Sequence, residues 1–399
     1  MTALADAAPA WSDLAGQQAA VEQLSRAAAA DNPTHAWLFT GPPGSGRSNA
    51  ARAFAQALQC EVEDPARRGC GHCAACLTVA AGTHADVKIM ATENVTYKID
   101  EIRELISVAQ DRPSSGRWRI FIIEDADRMT ERATNVLLKA IEEPPPRTVW
   151  MLCAPSPADV LVTIRSRCRP VGLRIPSVQS VADLLVERDG LDPALALFAA
   201  RASQSHVGMA RRLARDEGAR QRRESVVHLP LRIQATSDAV ALAKELVEVT
   251  QQEAKASAEV RNAEEKAGLM RALGLEENEK VPAKLRHHVK RLEDSQSARN
   301  KRSVHDTLDR AMIDLTGVFR DVLALQLETG ADLINEHLRD ELASYARSAT
   351  ADRTVARIDA VATARHRLAG NVPPLLALEA MTTSFLPDRI LDRRPAERS

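Results

Sequence analysis

The sequence predicts an α/β domain built on a parallel sheet, followed by regions made only of helices. Three observations carry that reading. Within residues 1–176, short apolar runs alternate with helical patterns, as expected of strands covered by helices on both faces. A Gly- and Pro-rich turn at 41–48 (GPPGSGRS) joins one such run to a helical pattern. Beyond residue 176 the strand signal fades and helical periodicity takes over.

The elements follow in order. Ala36–Thr40 (AWLFT) reads as a strand entering the turn, and 49–58 as the helix that leaves it. Val87–Met90 is a second strand. Ile99, Ile102, Leu105, Ile106 and Ala109 keep helical spacing and should form one buried face. Arg119–Ile123 (RIFII) is almost wholly apolar, as a strand buried on both sides should be. A fourth strand is expected at 149–153 and a short helix at 159–165. Residues 177–222 read as a small helical unit, and 223–399 as helical throughout. Within the latter, 251–305 is charged and poor in large apolar groups, which fits a solvated, partly flexible helical insertion. Heptads are not sustained there, so it is not read as a coiled coil. The charged tail 388–399 should fray, and no internal repeat is visible.

The 399 residues leave room for about two to four domains. An apolar fraction of 45% and a charged fraction of 27% fit a soluble globular chain. Aromatics are only 3%, so the cores must be aliphatic and Ala-rich, which favours helices. With a net charge of −1, no global field draws the chain to DNA or acidic lipid. There is no basic-then-apolar leader and no run near the ~20 apolar residues of a membrane span, so the expected address is the cytoplasm.

Four segments carry candidate chemistry. Gly41, Gly44, Ser45, Gly46, Arg47 and Ser48 keep the spacing of a phosphate-binding loop. Its glycines let backbone N–H groups turn toward phosphate, and the following helix adds its positive end. Ser48 is placed to ligate Mg²⁺. Arg47 stands where lysine is usual, and its planar fork is bulkier and aimed differently. The third strand ends in Glu124 and Asp125, an acidic pair that would hold Mg²⁺ and polarise water, or merely a solvated cluster. Of six cysteines, four lie close together: Cys60, Cys70, Cys73 and Cys76. Two tight Cys-x2-Cys steps closed by Cys60 suit a structural Zn²⁺ site. A redox pair, or His72 in place of one thiolate, are the alternatives. Cys153 and Cys168 read as small buried apolar residues. Ser166-Arg167-Cys168 presents an arginine that could reach a neighbour's γ-phosphate. With Arg165 and Arg169 it could equally be a solvated basic patch.

Together these segments resemble the bacterial DNA polymerase III clamp-loader family of AAA+ proteins. Residues 11–17 (WSDLAGQ) are similar to the family's adenine-bordering box, and 35–41 (HAWLFTG) to its strand entering the phosphate loop. The cysteines sit where the family has its zinc module. The most specific matches are 135–145 (NVLLKAIEEPP) and 163–168 (TIRSRC). Residues 208–211 (GMAR) resemble the second sensor, with Arg211 as its arginine, and 371–376 (NVPPLL) matches near the end. The similarity covers about residues 10–215.

The resemblance implies an AAA+ domain over 1–176 with a zinc module at 60–80, a helical lid over 177–222, and an all-α oligomerisation collar over 223–399. It implies structural Zn²⁺, with ATP or ADP and Mg²⁺ at the loop, and Arg167 as an arginine finger acting in trans. Its partners would be the tau/gamma motor subunits and the delta subunit of a pentameric ring. Through the ring it would meet the sliding clamp and primer-template DNA, with no membrane involved. Three departures matter: Arg47 replaces lysine, Glu124-Asp125 inverts the usual order, and Ala154-Pro155 stand where motors carry a polar sensor. A subunit that donates an arginine and need not hydrolyse fits that pattern. The rivals are an active motor ATPase of the same family and a nucleic-acid-binding zinc protein, the latter disfavoured by neutral charge and the lack of an aromatic-basic pattern.

Overall fold

The computed structural model describes residues 8–92, 96–272, 282, 286–370 and 372–387. The tail at 388–399, Asn371 of the NVPPLL segment and part of 251–305 lie outside these residues. The chain forms two compact units, 1–214 and 215–399.

The first unit begins with α1 (Gln18–Ala29) and β1 (Ala36–Thr40). Next come α2 (Arg47–Gln59), α3 (Ala74–Ala80), β2 (Val87–Met90), α4 (Ile99–Ala109) and β3 (Arg119–Ile123). The sheet is completed by α5 (Glu131–Glu142), β4 (Thr148–Ala154), α6 (Val162–Arg165) and β5 (Arg169–Gly172). All pairings are parallel, in the order β2-β3-β4-β1-β5. Alternation along the strands assigns each side chain a face. Trp37, Phe39, Ile120, Ile122 and Met151 pack with α1 and α2. Leu38, Phe121, Ile123, Trp150 and Leu152 pack with Ile102 and Leu105 of α4 and Leu137 and Ile141 of α5. Both faces are covered, which is why β4 is buried along its whole length. The expected face of α4 is present: Ile102, Leu105 and Ala109 are buried, while Ile99 and Ile106 are half-buried.

Two local features differ from expectation. The fifth strand was not expected. It has only four residues and includes Pro170, which its edge position tolerates because proline has no N–H to give a central ladder. The short helix expected at 159–165 is split into a 3-10 turn at Pro157–Asp159 and α6. Three further helices, α7 (Val178–Asp189), α8 (Pro193–Ala202) and α9 (Val207–Arg215), follow the sheet.

The second unit is all helical: α10 (Glu217–Arg232), α11 (Thr236–Ala272), α12 (Arg286–Gln326), α13 (Arg339–Arg347), α14 (Ala351–Ala369) and α15 (Pro374–Thr383). Its core gathers Leu242, Leu246, Met312, Leu315, Phe319, Leu378 and Phe385. The charged segment 251–305 is continuous with this core, because it consists largely of the far ends of α11 and α12. Asn262 Nδ2 donates to Asn300 Oδ1 (3.4 Å), and Lys266 faces Glu293 (3.7 Å), so the two helices run antiparallel. Ala254, Ala258 and Met270 are buried, as is Gln296, whose Nε2 donates to the Asn262 carbonyl (3.1 Å). Small residues, amides and Met270 thus line the seam between the two helices.

Candidate functional site

The phosphate loop leaves the C-terminal end of β1, which lies between β4 and β5, at the sheet end where open parallel sheets bind ligands. Gly44 and Gly46 have φ of 88° and 86°, a left-handed conformation that glycine adopts without strain. Gly46 caps the 13-residue α2, so that helix's positive end faces the loop. Ser45 Oγ is buried and has no hydrogen-bond partner among the described residues. This cradle suits an anion. Its cation, however, is turned onto the loop itself: Arg47 Nη1 donates to the Gly41 carbonyl at 2.5 Å. Ser48 lies half-buried in the first turn of α2.

The acidic pair ends β3 as expected, with both carboxylates facing arginines. Glu124 Oε1 is 2.9 Å from Arg52 Nη2 of α2. Asp125 has a φ of 51° and lies 3.7 Å from Arg128 Nε. Burial pushes the nearby Asp127 carboxyl up. Ala154 closes β4 beside Thr40 of β1, so that strand end presents only a methyl group. Arg211 forms an ion pair with the buried Asp189 (3.1 Å), the last residue of α7.

The four cysteines converge. Their Sγ atoms all lie within 4.8 Å of one another, and those of Cys70 and Cys76 are 3.9 Å apart. Zn–S bonds of about 2.3 Å put tetrahedral sulfurs about 3.8 Å apart, so the cluster can hold a metal ion. The backbone N–H of Cys73 donates to Cys70 Sγ and that of Cys76 to Cys73 Sγ, both at 3.4 Å. Cys60 follows the end of α2, and Cys73 caps α3. Burial opposes ionisation of Cys60, but N–H groups of Cys70, Val62 and Gly69 overcome it and lower the thiol to about 6. Burial pushes Cys76 up. His72 stands apart from the cluster, with Nδ1 2.9 Å from the Cys70 carbonyl, and all six cysteines are free thiols. Cys153 and Cys168 are buried, and burial pushes Cys168 up to about 12.

Arg167 lies just beyond α6 with 40% of its side chain exposed. Nη1 donates to the Thr163 carbonyl (2.8 Å) and to Ser166 Oγ (3.3 Å), and Nη2 lies 2.6 Å from Glu142 Oε1.

Residues 16–177 match the family model described as DNA polymerase III, delta subunit. The delta′ subunit of Pseudomonas aeruginosa is 32% identical over 214 residues, covering 53% of this chain and 64% of that one. The gamma/tau subunit of Mycobacterium tuberculosis is 31% identical over 185 residues, covering 45% of this chain and 32% of that one. Over these residues the chain is similar to DNA polymerase III clamp-loader subunits. The matched part thus spans only about a third of the gamma/tau relatives. The tau subunit of Bacillus subtilis is 35% identical over 160 residues, 40% of this chain and 28% of that one. Among solved structures, a gamma-subunit-related protein from Thermotoga maritima is 17% identical, with a TM-score of 0.43 over 91% of this chain and 97% of that one.

Two further residues support the phosphate loop. Gln17, buried, donates through Nε2 to the carbonyls of Ser45 (3.2 Å) and Arg174 (2.6 Å) and accepts from the Arg174 N–H (3.2 Å). It ties the phosphate loop to the segment after β5. His206 backs onto the loop so closely that a Cβ on Gly44 would come within 3.1 Å of it. The sequence carries a signal for Gln17, which ends the WSDLAGQ box, and none for His206. Among the described residues no helix is long and apolar enough to cross a membrane.

Proposed function

We propose that this chain is the delta-prime subunit of a DNA polymerase III clamp loader. It would be a stator that supplies Arg167 in trans to a neighbouring motor subunit while the sliding clamp is loaded on primed DNA. The observation that carries this reading is the Arg47 contact. A phosphate-loop cation bonded to its own loop carbonyl at 2.5 Å is not aimed as a motor's lysine must be. The methyl group of Ala154 and the pairing of Glu124 with Arg52 point the same way. Arg167, by contrast, is at the surface, where a guanidinium can meet a neighbour's phosphate.

In this role Cys60, Cys70, Cys73 and Cys76 would hold a structural Zn²⁺ that braces the first unit. The N–H groups of residues 44–48, with Arg47 and Ser48, would hold the phosphates of ATP or ADP with Mg²⁺, without efficient turnover. The helices after β5, with Arg211, would act as the lid. The C-terminal helices would join the ring with the tau/gamma and delta subunits. Arg167 would stabilise charge spread over the phosphoryl group at the adjacent subunit's site.

The test is ATP turnover by the purified subunit, alone and in complex with motor and delta subunits. We expect no turnover alone. In the complex, Arg167→Ala should cut hydrolysis at the facing site by roughly 10³-fold with assembly intact. Unchanged hydrolysis would sink the finger. An active motor ATPase is the second reading, favoured by the intact left-handed glycines of the cradle. Sustained turnover by the subunit alone would establish that alternative.

A further inference from the structure

We infer that Glu142 is the positioning residue for Arg167, an inference that rests on the finger reading above. Three observations bear on it. First, Glu142 Oε1 lies 2.6 Å from Arg167 Nη2, while Nη1 of the same guanidinium is held by the Thr163 carbonyl and Ser166 Oγ. The planar fork is therefore gripped at two of its nitrogens, by α5 on one side and by α6 and its following residue on the other. Its plane is set by these contacts before any phosphate arrives.

Second, Glu142 is the last residue of α5, where the helix macrodipole disfavours a carboxylate. Glu143 follows it, so the helix ends in two acids where bases would be stabilising. Local rules are broken most often where a site requires it.

Third, stability does not explain the pair. Both side chains are about 40% exposed (40% and 39%), and exposed ion pairs contribute little to folding. Orientation is what such a contact supplies. An arginine has many rotamers, and a finger that must be ordered afresh at each encounter loses rate through that entropy.

The proposed division of labour is concrete. Arg167 would touch the neighbour's phosphate; Glu142 would act only through Arg167. As a phosphate approaches, Glu142 keeps one Nη2 hydrogen and leaves the other edge of the fork to the incoming oxygens.

The test uses the reconstituted complex and pre-steady-state ATP hydrolysis. The phase lost in Arg167→Ala defines the one site concerned. Glu142→Ala should slow that phase by about 10- to 100-fold, the scale of a ~1 Å misplacement, with KM for ATP unchanged. Glu142→Gln keeps an acceptor oxygen at the same place and should slow it less. In the Arg167→Ala background, Glu142→Ala should add nothing. The melting temperature of the isolated subunit should not move, which separates positioning from a structural role. A wild-type or faster phase in Glu142→Ala, with Arg167→Ala still impaired, would overturn the positioning role alone. If Arg167→Ala itself changes no phase, the finger reading fails and the positioning role falls with it.

Discussion

The cysteine cluster and the phosphate loop lie in one unit, and their polar groups are satisfied in opposite ways. At the cluster, four sulfurs lie close together, and backbone N–H groups donate to them. Such a cluster could hold a metal ion. At the phosphate loop the charged side chains already have partners inside the chain. Arg47 has the Gly41 carbonyl, Glu124 has Arg52, Asp125 has Arg128, and Arg211 has Asp189. The first site could take an ion that the chain does not supply. The second pairs its charged side chains within the chain.

Removing the cluster's ligands should have the largest effect. Cys73→Ser leaves three thiolates and opens a site whose closed form is structural. Structural zinc can contribute on the order of 10 kcal/mol to folding a small module. We expect one zinc per chain by elemental analysis, lost in the variant, and early melting of the first unit. Chelation at neutral pH should reproduce this. A metal-free chain that melts as the untreated protein does would show that the sulfurs need no ion.

A third cluster shows self-satisfaction at full depth and supplies the next effect. The Asp86 side chain is completely buried. It accepts from the N–H groups of Ser114, Ser115 and Gly116, from both serine hydroxyls, and from Arg119 Nη1 (3.1 Å). Burial alone would push its carboxyl up; the three backbone N–H groups overcome that and hold it well below the ordinary carboxylate range. Because the folded-state value lies below the unfolded one, its stabilisation is present above about pH 4 and is lost as pH falls further. Asp86→Asn would turn an amide donor toward groups that all donate to the native carboxylate. It should cost about 3 kcal/mol at pH 7 in denaturant melts, and less at pH 3. An equal cost at both pH values would mean that charge is not what holds this loop.

The sequence revealed these regions unevenly, and the reason is distance along the chain. The cysteine spacing and the glycines of the loop are local, so their chemistry could be read directly. The first four strands were legible because each is a short, mostly apolar run. β5 was not: its four residues, RPVG, look like a turn until β1 stands beside them. Arg47 could be seen to be unusual, but its bond to Gly41 depends on the loop's curvature. The pairings of Arg211 with Asp189 and Arg167 with Glu142 join residues more than 20 positions apart, and no periodicity announces them. Asp86 reads as an ordinary polar residue before a strand.

The smallest effect sharpens the contrast most, because it asks whether the inward turn of the phosphate loop can be undone. Arg47→Lys removes the fork that reaches the Gly41 carbonyl and restores a compact ammonium on a flexible stem. The cradle of Gly44 and Gly46 is untouched. If the loop is held shut to phosphate chiefly by Arg47, the variant should bind ATP–Mg²⁺ about tenfold more tightly in calorimetric titration, a gain of about 1.4 kcal/mol. Turnover should not follow, because Ala154 still offers no polar group and Glu124 still faces Arg52. Unchanged or weaker binding would locate the obstacle elsewhere, with His206 against Gly44 the next contact to remove. Tighter binding accompanied by turnover would mean that one residue separates this subunit from a motor, and that its acidic pair works in either order.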